Sequence, residues 1–152
     1  PNSIGEMYEN KQYHPLLDLF EDIAQGPEDP YSDPEYYQRY VTREKFQQVV
    51  VNVMAKAGAD ALVFPTTQVQ SPTREELDAG RWKTLEFPTN TLIGAQTWMP
   101  AISVPAGFTA GGVPVGMEIL GLPYREGDLL ALAYAFEQAT GHRRAPKSAP
   151  EI

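Results

Sequence analysis

The stretch Pro100-Ala-Ile-Ser-Val-Pro-Ala-Gly-Phe-Thr-Ala-Gly-Gly-Val-Pro-Val-Gly-Met-Glu-Ile-Leu-Gly121 carries the clearest structural signal in the chain. Its two apolar runs, residues 101–104 and 115–120, are typical of buried strands because Ile- and Val-rich runs lie between breakers. The link over residues 105–114 is too long for a two-residue hairpin, so we expect antiparallel neighbours joined by a wide turn. Weak alternation in the first run predicts burial on both of its faces.

A long helix is predicted upstream of these strands. Asp33-Pro34-Glu35 supplies a capping residue, a proline at the first position and an acid in the first turn, and Gly58 ends the helix. The pattern allows one helix or two with a break near Thr42. Apolar residues recur at the spacing of a helix face that packs on a core: Phe46, Val49, Val50, Val53, Met54 and Ala57.

Shorter elements complete the α/β pattern. Residues 60–65 are predicted to form a buried strand directly after the long helix, which is the αβ step of a layered α/β fold. Thr73 and Glu76 form a capping box that starts a short helix ended by Gly80. A short buried helix is predicted over residues 90–97, capped by Asn90 or Thr89. The last helix is predicted over residues 126–140, with an apolar face that consists of Leu129, Leu130, Leu132, Ala133 and Phe136.

The N-terminal region is acidic. A helical face is predicted over residues 15–25, where Gly26 stops it. No Lys or Arg lies between Lys11 and Arg39, which favours a solvated acidic hairpin. Seven acids lie in that interval: Asp18, Glu21, Asp22, Glu28, Asp29, Asp33 and Glu35.

These elements predict an α/β fold in which helices pack on the faces of a mixed sheet. The length of 152 residues suits a single domain. We divide it into a helical lead-in (1–58), an α/β portion (59–145) and a loose tail (146–152). The chain starts at Pro1 without an initiator methionine, so we expect a piece of a longer protein.

Composition narrows the classes of function. The chain has no cysteine, which excludes disulfides and cysteine-based zinc sites. Its net charge of −8 disfavours binding to nucleic acid or to anionic membrane surfaces. No apolar run approaches the roughly 20 residues that span a bilayer. We therefore expect a cytoplasmic protein without nucleic-acid or membrane partners, metal or cofactor.

No catalytic constellation can be recognised in the sequence. It contains neither a Gly-x-Ser-x-Gly elbow nor a His-Glu-x-x-His or phosphate-loop motif. Ser103 lies mid-strand with no adjacent base, and the two histidines, His14 and His142, lie near the chain ends. His142 is best explained as a cation at a helix C-terminus. We assign no catalytic residue to this chain, and none of its lysines: Lys11, Lys45, Lys56, Lys83 and Lys147.

Residues 100–108, 112–121 and 134–140 resemble the C-terminal part of the amidase signature family. The resemblance implies the C-terminal portion of the amidase signature fold. It also implies a parent enzyme that hydrolyses a carboxamide through an acyl-enzyme on a Ser-Ser-Lys triad. In that family the triad lies in the N-terminal region, and nothing similar is present here. We therefore expect this chain alone to be inactive and to work with the N-terminal part of the same enzyme on a small amide substrate.

Trp98 and Met99 are the candidate substrate-lining residues. They occupy a step where the resembling family usually has Gly-Leu, and the bulky pair fills space beside the first strand. A pocket wall is one interpretation, and core packing is the other. As a wall, the pair together with Trp82 and Phe87 favours an apolar aryl or alkyl amide over a polar one.

Two alternative functions stay open. One is a protein similar to the subunit of glutamyl-tRNA(Gln) amidotransferase that shares the family fold, which tends to carry an aspartate upstream of the Pro-Gly-Ile-Ser step. Alignment on Pro100 places Pro88 near that position, and Glu86 is out of register. The other is a non-catalytic domain that associates with itself, since a divided sheet exposes an edge and an apolar face. On that basis we expect a homo-oligomer.

Overall fold

The structure is a computed structural model that describes residues 3–146. It combines α-helices, two 3-10 turns and a three-stranded sheet. In chain order the elements are α1 (Ile4–Glu9), α2 (Phe20–Ala24), a 3-10 turn (Pro30–Ser32), α3 (Tyr36–Ala57), β1 (Ala61–Pro65), α4 (Arg74–Asp78), a second 3-10 turn (Thr84–Glu86), α5 (Leu92–Thr97), β2 (Ala101–Phe108), β3 (Pro114–Gly121) and α6 (Glu126–Thr140).

The last strand in sequence is the centre of the sheet. The order is β1-β3-β2, and β3 pairs antiparallel with both neighbours. In this register Glu118 lies opposite Phe64 on one side and Ser103 on the other. The predicted α/β fold with a layered sheet is confirmed, and the strands within residues 3–146 pair only in the antiparallel sense.

The hairpin between β2 and β3 is tighter than predicted. Both strands run further than the apolar runs suggested, so the connection shrinks from the expected residues 105–114 to residues 109–113. The Thr109 amide donates to the carbonyl of Val113 at 2.9 Å, and Gly112 takes a left-handed φ of 81° in the turn. A bulge between Pro105 and Gly107 keeps the proline inside β2, because an edge strand tolerates a missing ladder donor.

Burial along β2 alternates, so the predicted burial on both faces is wrong for this chain. Ile102 is half-buried and Val104 is buried, whereas Ala101 and Ser103 are exposed. The reason is that β2 is an edge strand with little cover on the face that carries Ala101 and Ser103. On that face α5 approaches Ala101 at Gly94.

Two core clusters lie on opposite faces of the sheet. Residues of α3 and the end of α5 pack on one face, and α6 packs on the other, because successive strand residues point to opposite sides. The first cluster consists of Val50, Met54, Met99 and Leu120. The second consists of Val104, Ile119, Leu129 and Ala133.

Helix α3 is continuous through Thr42, and Gly58 ends it with a φ of 63°, as predicted. The Asp33 carboxylate accepts a hydrogen bond from the Glu35 amide just before the helix begins. The buried face of α3 is narrower than predicted, since only Val50 and Met54 of the six predicted core positions are buried. The other predicted core positions are exposed and form what we call the α3 stripe: Phe46, Val49, Val53 and Ala57.

Helix α6 has the predicted bounds and ends at Gly141, which adopts a φ of 57°. Its buried face is also narrower than the sequence suggested. Leu129 and Ala133 are buried, whereas Leu130 and Leu132 are exposed. Both helices therefore show more apolar surface than their contacts within the described chain cover.

The chain divides into two compact units, and the division runs through α3. One unit comprises residues up to Thr42 together with Ser71–Pro88, and the other comprises Arg43–Gln70 and the residues from Thr89 onward. The second unit contains the whole sheet. Most of the predicted loose tail lies outside the described residues.

In the first unit, the predicted helix over residues 15–25 is reduced to α2, because residues 15–19 form turns. The Asp18 carboxylate accepts hydrogen bonds from the amide and the hydroxyl of Thr84. These bonds lower the pKa of Asp18. The capping box at Thr73 and Glu76 is confirmed. One acid of the acidic stretch thus ties two segments together instead of only facing solvent.

Candidate functional site

Polar side chains converge at the carboxyl end of β1, and we call this group the polar cluster: Thr66, Gln68, Thr89, Asn90 and Ser103. The side-chain amide of Asn90 donates to the carbonyl of Pro65 at 2.7 Å, and its backbone amide donates to the carbonyl of Thr66 at 3.0 Å. The side-chain amide of Gln68 donates to the side-chain oxygen Oδ1 of Asn90 at 3.1 Å. The segment before α5 is thereby attached to the end of β1.

The polar cluster reaches across the centre strand at Gly116. The hydroxyls of Thr66, just beyond β1, and Ser103, on β2, lie 3.1 Å apart. A Cβ atom at position 116 would approach the Thr66 hydroxyl to 2.8 Å, closer than real contacts allow. A side chain at position 116 would therefore force Thr66 to shift, and glycine leaves room for the hydroxyls on either side of β3 to meet over it.

Glu118 lies two residues further along β3, on the same face as Gly116 and Leu120. Only 4% of its surface is exposed, and Oε1 has no hydrogen-bond partner among the described residues. Burial raises the pKa of the Glu118 carboxyl, because desolvation disfavours the charged form. A buried carboxyl oxygen without a partner is uncommon, since buried polar groups nearly always have partners.

Arg43 holds the C-terminus of α5 in place. Its guanidinium donates to the carbonyls of Ala95 and Gln96, at 2.6 and 3.2 Å. The same group lies 4.2 Å from the ring centroid of Trp98, in cation–π geometry. Trp98 adopts a φ of 54°, a region that bulky residues rarely occupy. Arg43 therefore supports a strained aromatic residue at the end of α5.

The two predicted substrate-lining residues lie in different surroundings. Trp98 is 43% exposed, whereas Met99 is 4% exposed and belongs to the first core cluster. The position of Met99 is that of a packing residue. A role for either side chain in lining a substrate site stays a prediction.

An open cavity of about 390 Å³ adjoins the hairpin. Ser103 and Gly116 line one part of it, and Phe108 and Arg144 line another. The Arg144 guanidinium lies 4.8 Å from the Phe108 ring centroid. The volume falls within the range of small-molecule sites, roughly 300–1,000 Å³.

The described residues show no nucleophile paired with a base. Ser103 is hydrogen-bonded to another hydroxyl, and the His142 ring lies 6.3 Å from that of Phe136. The Nδ1 atom of His14 accepts from the Leu16 amide. Lys147 lies outside the described residues. Within residues 3–146 no cluster of His, Asp and Glu could hold a metal ion, and no helix is long and apolar enough to cross a membrane.

Sequence reasoning missed the polar cluster and Glu118. A signal for Glu118 was present, because it is the single charged residue within the apolar run over residues 115–120. The cluster had a weaker signal, since its members are separated along the chain and only the sheet register brings them together.

Comparisons with known proteins agree with this architecture. The family model described as Amidase matches residues 1–130. A peptide amidase from Stenotrophomonas maltophilia superposes with a TM-score of 0.70 at 28% identity, over 94% of this chain and 28% of that one. A 6-aminohexanoate cyclic dimer hydrolase shares the fold, with a TM-score of 0.63 at 22% identity, over 95% of this chain and 34% of that one.

Sequence relatives lead to the same family. A glutamyl-tRNA(Gln) amidotransferase subunit from Ruegeria pomeroyi is 32% identical over 125 residues, which cover 82% of this chain and 24% of that protein. The corresponding subunit from Syntrophobacter fumaroxidans is 51% identical over 55 residues, 36% of this chain and 11% of that protein. The chain belongs to the amidase family, and it spans about a quarter of the length of the longer-matching relative.

Replacing Gly116 with alanine tests the contact across β3. We expect Gly116→Ala to lower the free energy of unfolding by about 1–3 kcal/mol, because the new methyl group displaces the Thr66 hydroxyl. Gly127→Ala in α6 is the matched control, since nothing lies within 4 Å of its new methyl group and alanine favours helix. Urea denaturation measures both, and equal effects would contradict the contact.

Glu118→Gln tests the buried carboxyl. The pKa of the Glu118 carboxyl is higher in the folded than in the unfolded chain. As pH rises above about 4, the carboxyl therefore ionises first in the unfolded chain, which lowers the free energy of unfolding. The decrease ends once the carboxyl is also ionised in the folded chain. The Gln variant should lose that part of the pH dependence and gain stability relative to the parent toward neutral pH. Glu44→Gln, on an exposed position of α3, is the control. Identical pH profiles of urea midpoints for parent and Glu118→Gln would rule the effect out.

Proposed function

We propose that this chain is the C-terminal part of an amidase that hydrolyses a carboxamide C–N bond through an acyl-enzyme. The observation that carries the proposal is the family match over residues 1–130. The described residues offer no nucleophile and base of their own, so the Ser-Ser-Lys triad comes from a part of the enzyme outside this chain. By itself the chain is then inactive, because covalent catalysis requires an activated nucleophile.

The chain supplies structure and part of the substrate wall to that enzyme. The polar cluster fixes the loop after β1 through hydrogen bonds of 2.7–3.1 Å. Arg43 fixes the end of α5, where Trp98 leaves 43% of its surface exposed. Fixed walls support amide hydrolysis because the reacting carbonyl must be held in a narrow range of orientations.

The proposed partner is the N-terminal part of the same enzyme. Phe46, Val49 and Val53 of the α3 stripe are 40–57% exposed, and they form one continuous helical face. Strands β1 and β2 are the outer strands of the sheet, and neither pairs on its outer side with another strand of residues 3–146. An exposed apolar helix face suits a covering segment better than solvent.

Ammonia release tests the proposal. The longer protein that carries this chain should liberate ammonia from a small carboxamide, and it should form hydroxamate when hydroxylamine is added, because an acyl-enzyme transfers its acyl group to that nucleophile. The 152-residue chain assayed alone should show neither reaction. Absence of hydrolysis in the longer protein across aryl, alkyl and peptide amides would contradict the function.

Trp98→Ala tests the substrate wall in the longer protein. We expect the KM for benzamide to rise about tenfold, with a much smaller change for acetamide, since only the larger substrate loses aromatic contact. Tyr134→Ala, which truncates a 65%-exposed aromatic residue on α6, is the matched control. Equal changes for both substrates would assign Trp98 a packing role.

Two other functions have specific support. The similarity to a glutamyl-tRNA(Gln) amidotransferase subunit over 82% of this chain favours a protein that takes ammonia from glutamine. A preference for glutamine over other amide substrates would support this function. The exposed α3 stripe suits self-association into a homo-oligomer. Self-association becomes the leading function only if the longer protein has no amide hydrolysis.

A further inference from the structure

The segment after α6 brings a run of basic residues to the hairpin. Gly141 ends the helix with a φ of 57°, in the left-handed conformation that turns the chain away from the helix axis. The next three residues line the open cavity of about 390 Å³ beside the hairpin: His142, Arg143 and Arg144. They form the longest run of basic residues in a chain whose net charge is −8, so positive charge is concentrated at this cavity.

Arg144 is ordered by an aromatic ring and has no anionic partner. Its guanidinium lies 4.8 Å from the ring centroid of Phe108, in cation–π geometry. Neither Arg143 nor Arg144 forms an ion pair within residues 3–146, where the paired arginines are Arg39, Arg81 and Arg125. The ring contact thus holds a guanidinium at the cavity wall while leaving it free of any carboxylate.

The rest of the cavity wall is largely apolar. Among the described residues no Asp or Glu lines it, so no acidic side chain competes for the two guanidinium groups. The apolar lining comes from both strands of the hairpin: Val104, Pro105, Phe108, Pro114 and Val115. An apolar wall beside guanidinium groups fits a ligand that has a carbon body and one anionic end. The planar fork of an arginine matches the two oxygens of a carboxylate.

We propose that this cavity binds a small organic carboxylate. Arg143 and Arg144 donate hydrogen bonds to the carboxylate oxygens, and the apolar body of the ligand lies against Phe108. A phosphate suits the site less well, because the described lining belongs to β2, β3 and residues 142–144 and includes no helix N-terminus, the usual source of backbone N–H groups for phosphate. The binding site does not depend on amide hydrolysis.

Titration of the 152-residue chain with benzoate tests the proposal. Benzoate should bind saturably and shift the amide NMR signals of Gly107, Val115 and Gly116, which line the cavity. Benzamide has the same ring without the charge, so it should bind about tenfold more weakly or worse, because the charge-assisted hydrogen bonds are lost. Higher salt should also weaken benzoate binding, since it screens exposed charges.

Arginine variants locate the carboxylate. Arg144→Gln should raise the Kd for benzoate about tenfold or more, because it removes the guanidinium that stacks on Phe108. Arg143→Gln should raise it as well. Arg125→Gln is the matched control and should leave the Kd unchanged, since Arg125 pairs with Asp128 and does not line this cavity. All three arginines are exposed, so the variants should keep the fold, and urea denaturation checks that they do.

Four outcomes would overturn the proposal. Two of them are equal affinity for benzoate and benzamide, and a Kd that Arg144→Gln does not change. Inorganic phosphate bound as tightly as benzoate would reduce the cavity to a surface that attracts any anion. In the longer protein the effect of Arg144→Gln on benzoate binding should persist, and its loss there would assign the cavity to contacts with the rest of that protein.

The binding measurements need no turnover. A longer protein without amide hydrolysis would therefore refute the proposed function and leave this site standing. If the short chain fails to fold, calorimetric titration of the longer protein and its Arg144→Gln and Arg125→Gln variants decides the same question.

Discussion

Strand β3 pairs with β1 on one side and with β2 on the other, and this arrangement constrains nearly every contact in the unit that contains the sheet. Because side chains alternate along a strand, one face of β3 presents Gly116, Glu118 and Leu120 in a row. Leu120 anchors the cluster formed with α3 and Met99, whereas Gly116 leaves room for hydroxyls to meet above it. The row thus changes from an apolar core at one end to a polar surface at the other, and Glu118 lies at the transition.

Helix α5 depends on support from the sheet and from α3. The helix has six residues, too few to be stable in isolation. Gly94 lies close to the side chains of Ala101 and Leu120, so the helix is seated directly on the sheet. Arg43 and Gln47 of α3 donate to its last carbonyls, groups that no intrahelical donor can satisfy. The strain at Trp98 is thereby held by an adjacent helix, and α3 and α5 act as one structural element.

Sequence patterns predicted the elements of this architecture better than their surroundings. The bounds of α6, the end of α3 at Gly58 and the capping box at Thr73 depend on local chemistry, so the residues themselves were sufficient. The bulge in β2 was not predictable, because Pro105 looks like a strand end unless the partner register is known. The polar cluster was missed for the same reason, since contacts between residues such as Thr66 and Ser103 depend on which strands become neighbours.

The errors about burial have a common physical cause. Apolar periodicity identifies the apolar face of a segment, and it does so whether or not other described residues cover that face. Val49 and Val53 on α3 and Leu130 on α6 were predicted to be buried and are exposed, and Ala101 follows the same pattern on β2. Glu118 shows the complementary case, in which a polar residue within an apolar run is buried and its Oε1 has no hydrogen-bond partner among residues 3–146. Periodicity in a single segment therefore reports its apolar face, whereas burial depends on which other residues of the fold come to lie against that face.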